Sequence, residues 1–386
     1  MKIVLVSEEF PEETNYWWIW TYHFTLSAKL SQKWYNVIVV CKTLAHGETY
    51  INKYWATIKR VKPFFWIDNL FLYRVKIAFV VIAEQLKWKI DVIEFPEWNW
   101  ELFIYYFFNI FWRSKIILRL HTPLFVCEIL NKMKPSYIHK MDIWIEKFLI
   151  KHINNITCCS LSLLWEINKH MSLGGKEIKI IHNPWNDLIF DVNKQFDDIF
   201  NIASKGCINI LFAWSHELRK WIDVFAMAMN VLLKKYDNIN IIFVWKYWKS
   251  WNANEKLWKD DIINFFDTKH LNRVKILWKV DYYKMPNIYK HVDICIFPSI
   301  YDNYPWVVIE SLLMKKTVIA SINTWIKEVI KEWIIFIEPK IDSIIKETSR
   351  LIENKNSIEE LWERWFQEAK KSNNLILDNI INFYKK

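Results

Sequence analysis

Short apolar runs recur along this chain at intervals that each leave room for a helix, and that alternation restricts it to a layered α/β fold. In the first half the runs are Lys2–Val6, Asn36–Cys41, Ile90–Phe95, Lys115–Leu120, Asn155–Ser160 and Ile178–His182. In the second they are Ile208–Ala213, Ile239–Val244, Val274–Leu277, Val292–Phe297, Thr317–Ala320 and Ile334–Ile337. Runs this short and this apolar read as strands buried on both faces, and helical stretches such as Thr21–Gln32 supply the crossovers that parallel strands need. A polar connection, Asn183-Pro184-Trp185-Asn186-Asp187, separates the two series. The sequence therefore predicts two Rossmann-like, doubly wound parallel-sheet domains, 1–186 and 187–368, with a ligand held in the cleft between them. The stretch from Ser357 onward reads as helical with a break at Asn373-Asn374, and the C-terminal helix, 369–386, is expected to pack back on the first domain.

A length of 386 residues with 53% hydrophobic content suffices for two cores. The six cysteines, at 41, 127, 158, 159, 207 and 295, show neither CxxC pairing nor metal-ligand spacing, which predicts buried reduced thiols in a cytoplasmic protein and no metal site. The opening Met1–Glu8 has too short an apolar stretch for a secretion signal, and Arg74, Lys76 and Asn109 interrupt the best candidates for a spanning helix. A net charge of +10 suits phosphorylated substrates or the anionic inner face of a membrane, although Lys-rich, low-GC coding produces the same excess. No nucleic-acid partner is expected. The aromatic and basic tract Lys62–Lys89 either seats a lipid-linked acceptor at a membrane surface or packs in the core with its Lys and Arg stems snorkelling outward.

One compositional fact bears on every loop of such a fold: the chain has 25 Trp and 4 Gly. At the usual glycine content of about 7%, 386 residues would carry about 27, close to the two counts combined. Tryptophan also stands where turns are expected, as in Trp17-Trp18-Ile19-Trp20, Lys33-Trp34-Tyr35-Asn36, Lys220-Trp221 and Lys331-Glu332-Trp333. Those positions call for positive φ or close backbone approach, which an indole does not serve. The pattern is that of an opal codon meaning glycine written as tryptophan. An aromatic-rich core is the other reading, but aromatic cores do not expel glycine from turns.

Read with glycine at 17, 18 and 20, the loop Pro11–Thr21 becomes a phosphate-approach loop before a helix, where backbone N–H groups and the helix dipole favour an anion. A dinucleotide loop is the rival, yet no ribose-binding acid is well placed after Cys41. The second series opens with Leu211-Phe212-Ala213-Trp214-Ser215-His216-Glu217-Leu218-Arg219-Lys220-Trp221. Lys220, at a loop–helix junction, can neutralise a diphosphate leaving group; a solvated helix-start lysine is the plain alternative. The segment Phe297-Pro298-Ser299-Ile300-Tyr301-Asp302-Asn303-Tyr304-Pro305-Trp306-Val307-Val308-Ile309-Glu310 runs from a buried strand through a polar loop into a helix, with carboxylates eight positions apart.

On these residues the chain resembles the GT-B glycosyltransferases of the retaining nucleotide-sugar family called family 4, from the first loop to about Pro339. Pro298, Ser299, Tyr304, Pro305 and Glu310 match that family's most diagnostic pattern, and Thr317–Ser321 and Glu328-Val329-Ile330 match the segments that follow. The resemblance implies that Glu310 holds the ribose hydroxyls of a nucleotide, that Asp302 lies beside the donor sugar, and that Lys220 clamps the diphosphate. It places Val280 and Asp281 at the base, the amides of Trp306 and Val307 at the phosphates, and His121 near the reacting sugar and acceptor. A histidine after a strand is also often purely structural. The family often has Arg where Ser215 stands, which shifts phosphate neutralisation toward Arg219, and Asp302 is one methylene shorter than the family's usual Glu. The family's glycines appear as Trp at 17, 18, 20, 214, 221, 306 and 325.

The implied reaction is a retaining transfer of a hexose from a nucleoside-diphosphate sugar to a hydroxyl on a glycan or lipid-linked acceptor, in cell-envelope polysaccharide or glycolipid synthesis. It needs no further cofactor and no metal, since no Asp-x-Asp signature stands in the relevant segments. A catalytically silent nucleotide-sugar-binding protein, or a GT-B phosphorylase or epimerase, are the alternatives.

Overall fold

In the computed structural model, residues 1–10, 18–43, 47–52, 54–62, 70–131, 136–202, 206–215, 218–246, 259–278, 280–330, 333–354 and 362–386 are described. The chain divides into two units, Met1–Trp185 with Asn373–Lys386, and Asn186–Ser372.

The first unit is built on an eight-stranded sheet in the order β3-β4-β2-β1-β5-β6-β7-β8. Its strands are β1 (Lys2–Val6), β2 (Asn36–Lys42), β3 (Thr49–Ile51), β4 (Thr57–Val61), β5 (Val92–Pro96), β6 (Lys115–Leu120), β7 (Asn155–Cys158) and β8 (Lys179–Ile180). All pairings are parallel except β3 with β4, an antiparallel edge. β1 is fully buried and pairs Ile3 with Val37 on one side and Val92 on the other, so the strand order reverses there. Its helices are α1 (Trp18–Gln32), α2 (Leu70–Lys87), α3 (Phe103–Phe108), α4 (Leu124–Leu130), α5 (Tyr137–His152) and α6 (Leu161–His170). Ser136 and Ser160 start α5 and α6, each hydroxyl accepting an N–H from the first turn. β3 and β4 escape an apolar-run reading because Lys59 and Arg60 interrupt β4, and these charges are satisfied laterally by Glu84 and Glu48.

The second unit carries a wholly parallel six-stranded sheet, β11-β10-β9-β12-β13-β14. Its strands are β9 (Ile208–Ser215), β10 (Ile239–Lys246), β11 (Val274–Trp278), β12 (Ile294–Phe297), β13 (Thr317–Ser321) and β14 (Ile335–Ile337). Its helices are α7 (Ile222–Lys235), α8 (Lys259–Ile263), α9 (Met285–Lys290), α10 (Trp306–Leu313) and α11 (Ile341–Glu353). Phe212, Phe225 and Phe243 meet between β9, α7 and β10 at centroid distances of 4.9 to 6.0 Å.

The final helix, α12 (Trp362–Lys385), is continuous through Asn373-Asn374, where a break was expected. Asn373 is buried and its amide group is used twice, accepting the Trp185 N–H at 2.7 Å and donating to the Trp185 carbonyl at 3.1 Å. A side chain bonded to another segment does not compete with its own helix backbone, which is what usually makes Asn a breaker.

Candidate functional site

In the second unit, β9 and β12 are neighbours at the point where the sheet order reverses, with Ile294 opposite Ile210. The loops leaving their C-terminal ends therefore lie side by side, where α/β sheets form sites. The Ile300 N–H donates to the Arg219 carbonyl at 2.8 Å and ties these loops together. Lys220 Nζ donates to Asp302 Oδ2 at 2.9 Å, with both side chains buried. Arg219 Nη1 lies 3.9 Å from Asp302 Oδ1 and donates to the Tyr301 carbonyl at 3.1 Å. Asp302 Oδ1 also accepts the Tyr304 N–H at 3.2 Å, and the Asp302 carbonyl accepts the Trp325 N–H at 3.2 Å. One carboxylate thus organises both loops and holds two cations. Removing Asp302 would take from the buried Lys220 its carboxylate partner, which costs about 3–5 kcal/mol, whereas removing Lys220 leaves Asp302 with Arg219.

Beside this pair the Tyr304 ring stacks on Trp325 at 4.3 Å and meets Trp306 at 4.7 Å. Pro305 caps α10, and the Trp306 N–H is donated to the Tyr304 carbonyl at 3.0 Å. Val307 is buried on the first turn, and Glu310 follows it on the helix, its Oε2 accepting the Tyr289 hydroxyl at 3.2 Å. Burial, reinforced by the Glu310 charge, pushes the Tyr289 hydroxyl well above its ordinary range, so it remains a donor to that carboxylate. Val280 is buried at the head of a separate turn, and Asp281 accepts the Tyr283 N–H at 2.9 Å to cap it. Ser215 ends β9 opposite Lys246; its side chain is outside the described atoms. Of the expected donor residues, Lys220, Arg219, Asp302, Tyr304 and Trp306 are joined by direct contacts. Trp325, stacked on Tyr304, and Thr324, whose backbone bridges to Asp302, extend this cluster, while Tyr289 joins Glu310 and the Val307 carbonyl. The sequence marks Trp325 only as one of the family's glycine positions, and Tyr289 and Thr324 are revealed by the fold alone, because they sit on other elements.

In the first unit, His121 follows β6. Glu97 accepts the His121 N–H at 2.8 and 2.9 Å and the Thr122 N–H at 2.6 Å. Burial pushes the Glu97 carboxyl up to about 7 against the opposing pull of those bonds. The His121 ring meets Tyr22 edge-on at 5.0 Å and lies 6.3 Å from His23. Burial and the Arg119 charge hold His121 well below the usual histidine range, and burial takes His23 down to about 3. Both imidazoles are therefore neutral near pH 7.

Beneath them Arg119 lies 4.9 Å over the Tyr22 ring and donates to the Ile181 carbonyl and to Asn183. Tyr22 and Tyr384 donate to the two oxygens of Glu94 at 2.7 and 2.9 Å. Glu94 and Glu97 did carry a sequence signal, as carboxylates within and just after an apolar strand, where only a partnered acid survives. Trp20 is buried in α1 against Phe24. Trp18 begins α1 with its side chain outside the described atoms, and Trp17 lies outside the described residues.

Two family models match the chain: Glycosyltransferase Family 4 over residues 19–187, and Glycosyl transferases group 1 over residues 197–372. No curated protein sequence is significantly similar to it. Among solved structures, a sucrose-phosphate synthase from Thermosynechococcus elongatus is 14% identical with a TM-score of 0.80, covering 100% of this chain and 98% of its own. A glycosyltransferase from Rickettsia africae is 14% identical with a TM-score of 0.71, covering 100% and 97%. An Escherichia coli trehalose-6-phosphate structure bound with UDP-2-fluoro glucose is 10% identical with a TM-score of 0.70, covering 100% and 99%. At these identities the likeness concerns the fold, which is that of two Rossmann-like parallel-sheet domains.

Proposed function

From the premise that this chain is a glycosyltransferase of the GT-B fold, with one glycosyltransferase domain in each half, we propose that it moves a hexose from a nucleoside-diphosphate sugar to a hydroxyl acceptor with retention of configuration. The observation that carries this reading is the buried Lys220–Asp302 pair at the β9/β12 reversal, with Arg219 alongside and Glu310 held by Tyr289. Lys220 and Arg219 meet the departing diphosphate without a metal, Glu310 takes the ribose diol with its two acceptor oxygens, and Asp302 orients the lysine. For His121, in the first unit, the family resemblance supports a hydrogen-bonding role toward the acceptor in its neutral form. The donor class is supported by the neighbour bound with UDP-2-fluoro glucose and by an Anabaena neighbour in complex with UDP and glucose. The acceptor, a cell-envelope glycan or a lipid-linked saccharide on the cytoplasmic side, rests on family analogy.

This reading applies to a chain with glycine at the Trp positions of its loops. Four of the eight non-glycine residues with positive φ among the described residues are Trp: Trp34, Trp55, Trp100 and Trp221. An L-residue in that region costs about 1–2 kcal/mol, and glycine almost nothing. Concentration of positive φ on Trp supports opal recoding, and intact mass of the protein from its native host tests it. A mass lighter by 25 Trp-to-Gly exchanges supports the recoded chain; the mass as written withdraws both recoding and the enzyme assignment.

The function is tested on the glycine form with UDP-glucose. A thermal shift with product formation is expected, and Lys220→Ala should lower turnover on the order of 100-fold. A thermal shift without turnover would favour a silent binder, and a sugar phosphate or epimerised product would favour the other rivals.

A further inference from the structure

The α3–α5 face of the first unit exposes a continuous apolar surface. Phe107, Phe108, Ile110 and Phe111, on α3 and the turn after it, are all exposed, the last two at 75% each. On α5, Ile138, Met141 and Trp144 are exposed as well, with Tyr137 at the start of the helix. The rings join into one patch. Phe148 stacks beneath Trp144 at 5.9 Å and meets Phe103 and Phe107 at 5.9 and 6.2 Å. A soluble surface seldom leaves so many large apolar groups adjacent unless something covers them.

Charge identifies what covers them. The exposed charged residues of α3, α5 and the intervening turn's end are Lys140, Lys151 and Arg113, all basic, with Lys147 half-buried over the Phe125 ring at 4.8 Å. The two carboxylates of α5 are used on other partners. Asp142 accepts the Trp100 indole N–H at 2.6 Å and interacts with the buried Arg74 charge, a partner that remains if position 100 is glycine, and Glu146 is buried and accepts the Leu124 N–H at 2.9 Å. His139 is paired with Glu128. An apolar stripe flanked by cations, with its own acids turned away, matches the acyl boundary and headgroups of an anionic bilayer. A protein interface would more often deplete its core of lysine. No helix among the described residues is long and apolar enough to cross a membrane, so the contact is with its surface.

We infer that the α3–α5 face docks the protein on an anionic lipid surface. This deepens the acceptor side of the transferase reading by assigning the acceptor to the lipid–water interface. The patch does not depend on Trp144, because the phenylalanines, Ile110, Ile138 and Met141 remain if that position is glycine.

The test is co-sedimentation of the full chain with phosphatidylglycerol/phosphatidylcholine vesicles and with phosphatidylcholine vesicles alone, without donor or acceptor. Binding to the anionic vesicles, weakened by salt, is expected. Two surface variants, Lys140→Glu/Lys151→Glu and Ile110→Ser/Phe111→Ser, should each weaken it by roughly 10-fold or more, since each basic charge at such a surface is worth about fivefold and each large apolar side chain buried in the bilayer boundary at least as much. Both should keep the wild-type thermal shift with UDP. Absence of anionic-vesicle binding at low salt, or binding indifferent to both variants, overturns the inference. So does a concentration-dependent dimer that Ile110→Ser/Phe111→Ser dissolves, since a second copy would then own the face. The UDP shift is measured without vesicles, so failure of the donor reading and failure of docking are read separately.

Discussion

Trp34 and Trp325 are the same residue type under opposite constraints, and substitution should separate them. Trp34 follows α1 with φ 65° and is 89% exposed, so its side chain contributes little burial to offset its backbone strain. Trp34→Gly should raise stability by about 1 kcal/mol in urea denaturation. Trp325 is fully buried and stacks on Tyr304, and in the chain as written Trp325→Gly should cost about 3–5 kcal/mol. A loss of stability at Trp34 would refute the strain argument. Glu97 makes a second residue-scale prediction. Its carboxyl titrates near 7 when folded, against an ordinary value of 4.5, so the folded state holds this proton more tightly than the unfolded state. That contribution to stability falls as pH rises from about 4.5 through 7 and is flat above. Glu97→Gln keeps an acceptor for the His121 and Thr122 amides, and its stability relative to the parent should improve across that window. A pH-independent difference would show that Glu97 is not titrating there.

At the scale of elements, α12 is the informative case. Its residues from Asn373 onward belong to the first unit, held by Asn373 on Trp185 and by Tyr384 on Glu94, a contact spanning 290 positions. Tyr384→Phe removes one of the two phenols that satisfy Glu94 and should cost about 1–3 kcal/mol in thermal or urea unfolding, because it leaves a buried carboxylate oxygen short of a donor. A neutral result would mean that water replaces the hydroxyl. The helix itself was legible from its apolar spacing, but its continuity through Asn373-Asn374 was not. Local propensity disfavours two consecutive asparagines, and the bonds that override it come from a segment far away in sequence. β12 and α10 show the reverse: strand, polar loop and helix all follow from the segment 294–313 alone, since each is set by near neighbours.

For the whole molecule, the transferase reading predicts a local response in the intact chain. UDP added to the glycine form should slow hydrogen exchange at 218–222 and 299–310, and leave the β1 strand at Lys2–Val6 unchanged. Uniform protection, or none at these loops, would count against the site. The two mostly parallel sheets and the loops after β9 and β12, with Lys220, Asp302 and Glu310 as candidates on them, could be read from the sequence. Apolar runs and the helices between them are short-range patterns, and parallel strands admit few connections. What the sequence did not contain is which groups meet. Strand order brings Lys220 to Asp302 across 82 positions and Glu97 to the His121 amide across 24. It also buries Glu94, Glu97, Glu101 and Glu146 deeply enough to raise each carboxyl. Pattern along the chain fixes which residues are buried, but partnership and protonation depend on what lies across the sheet, and only the tertiary structure decides that.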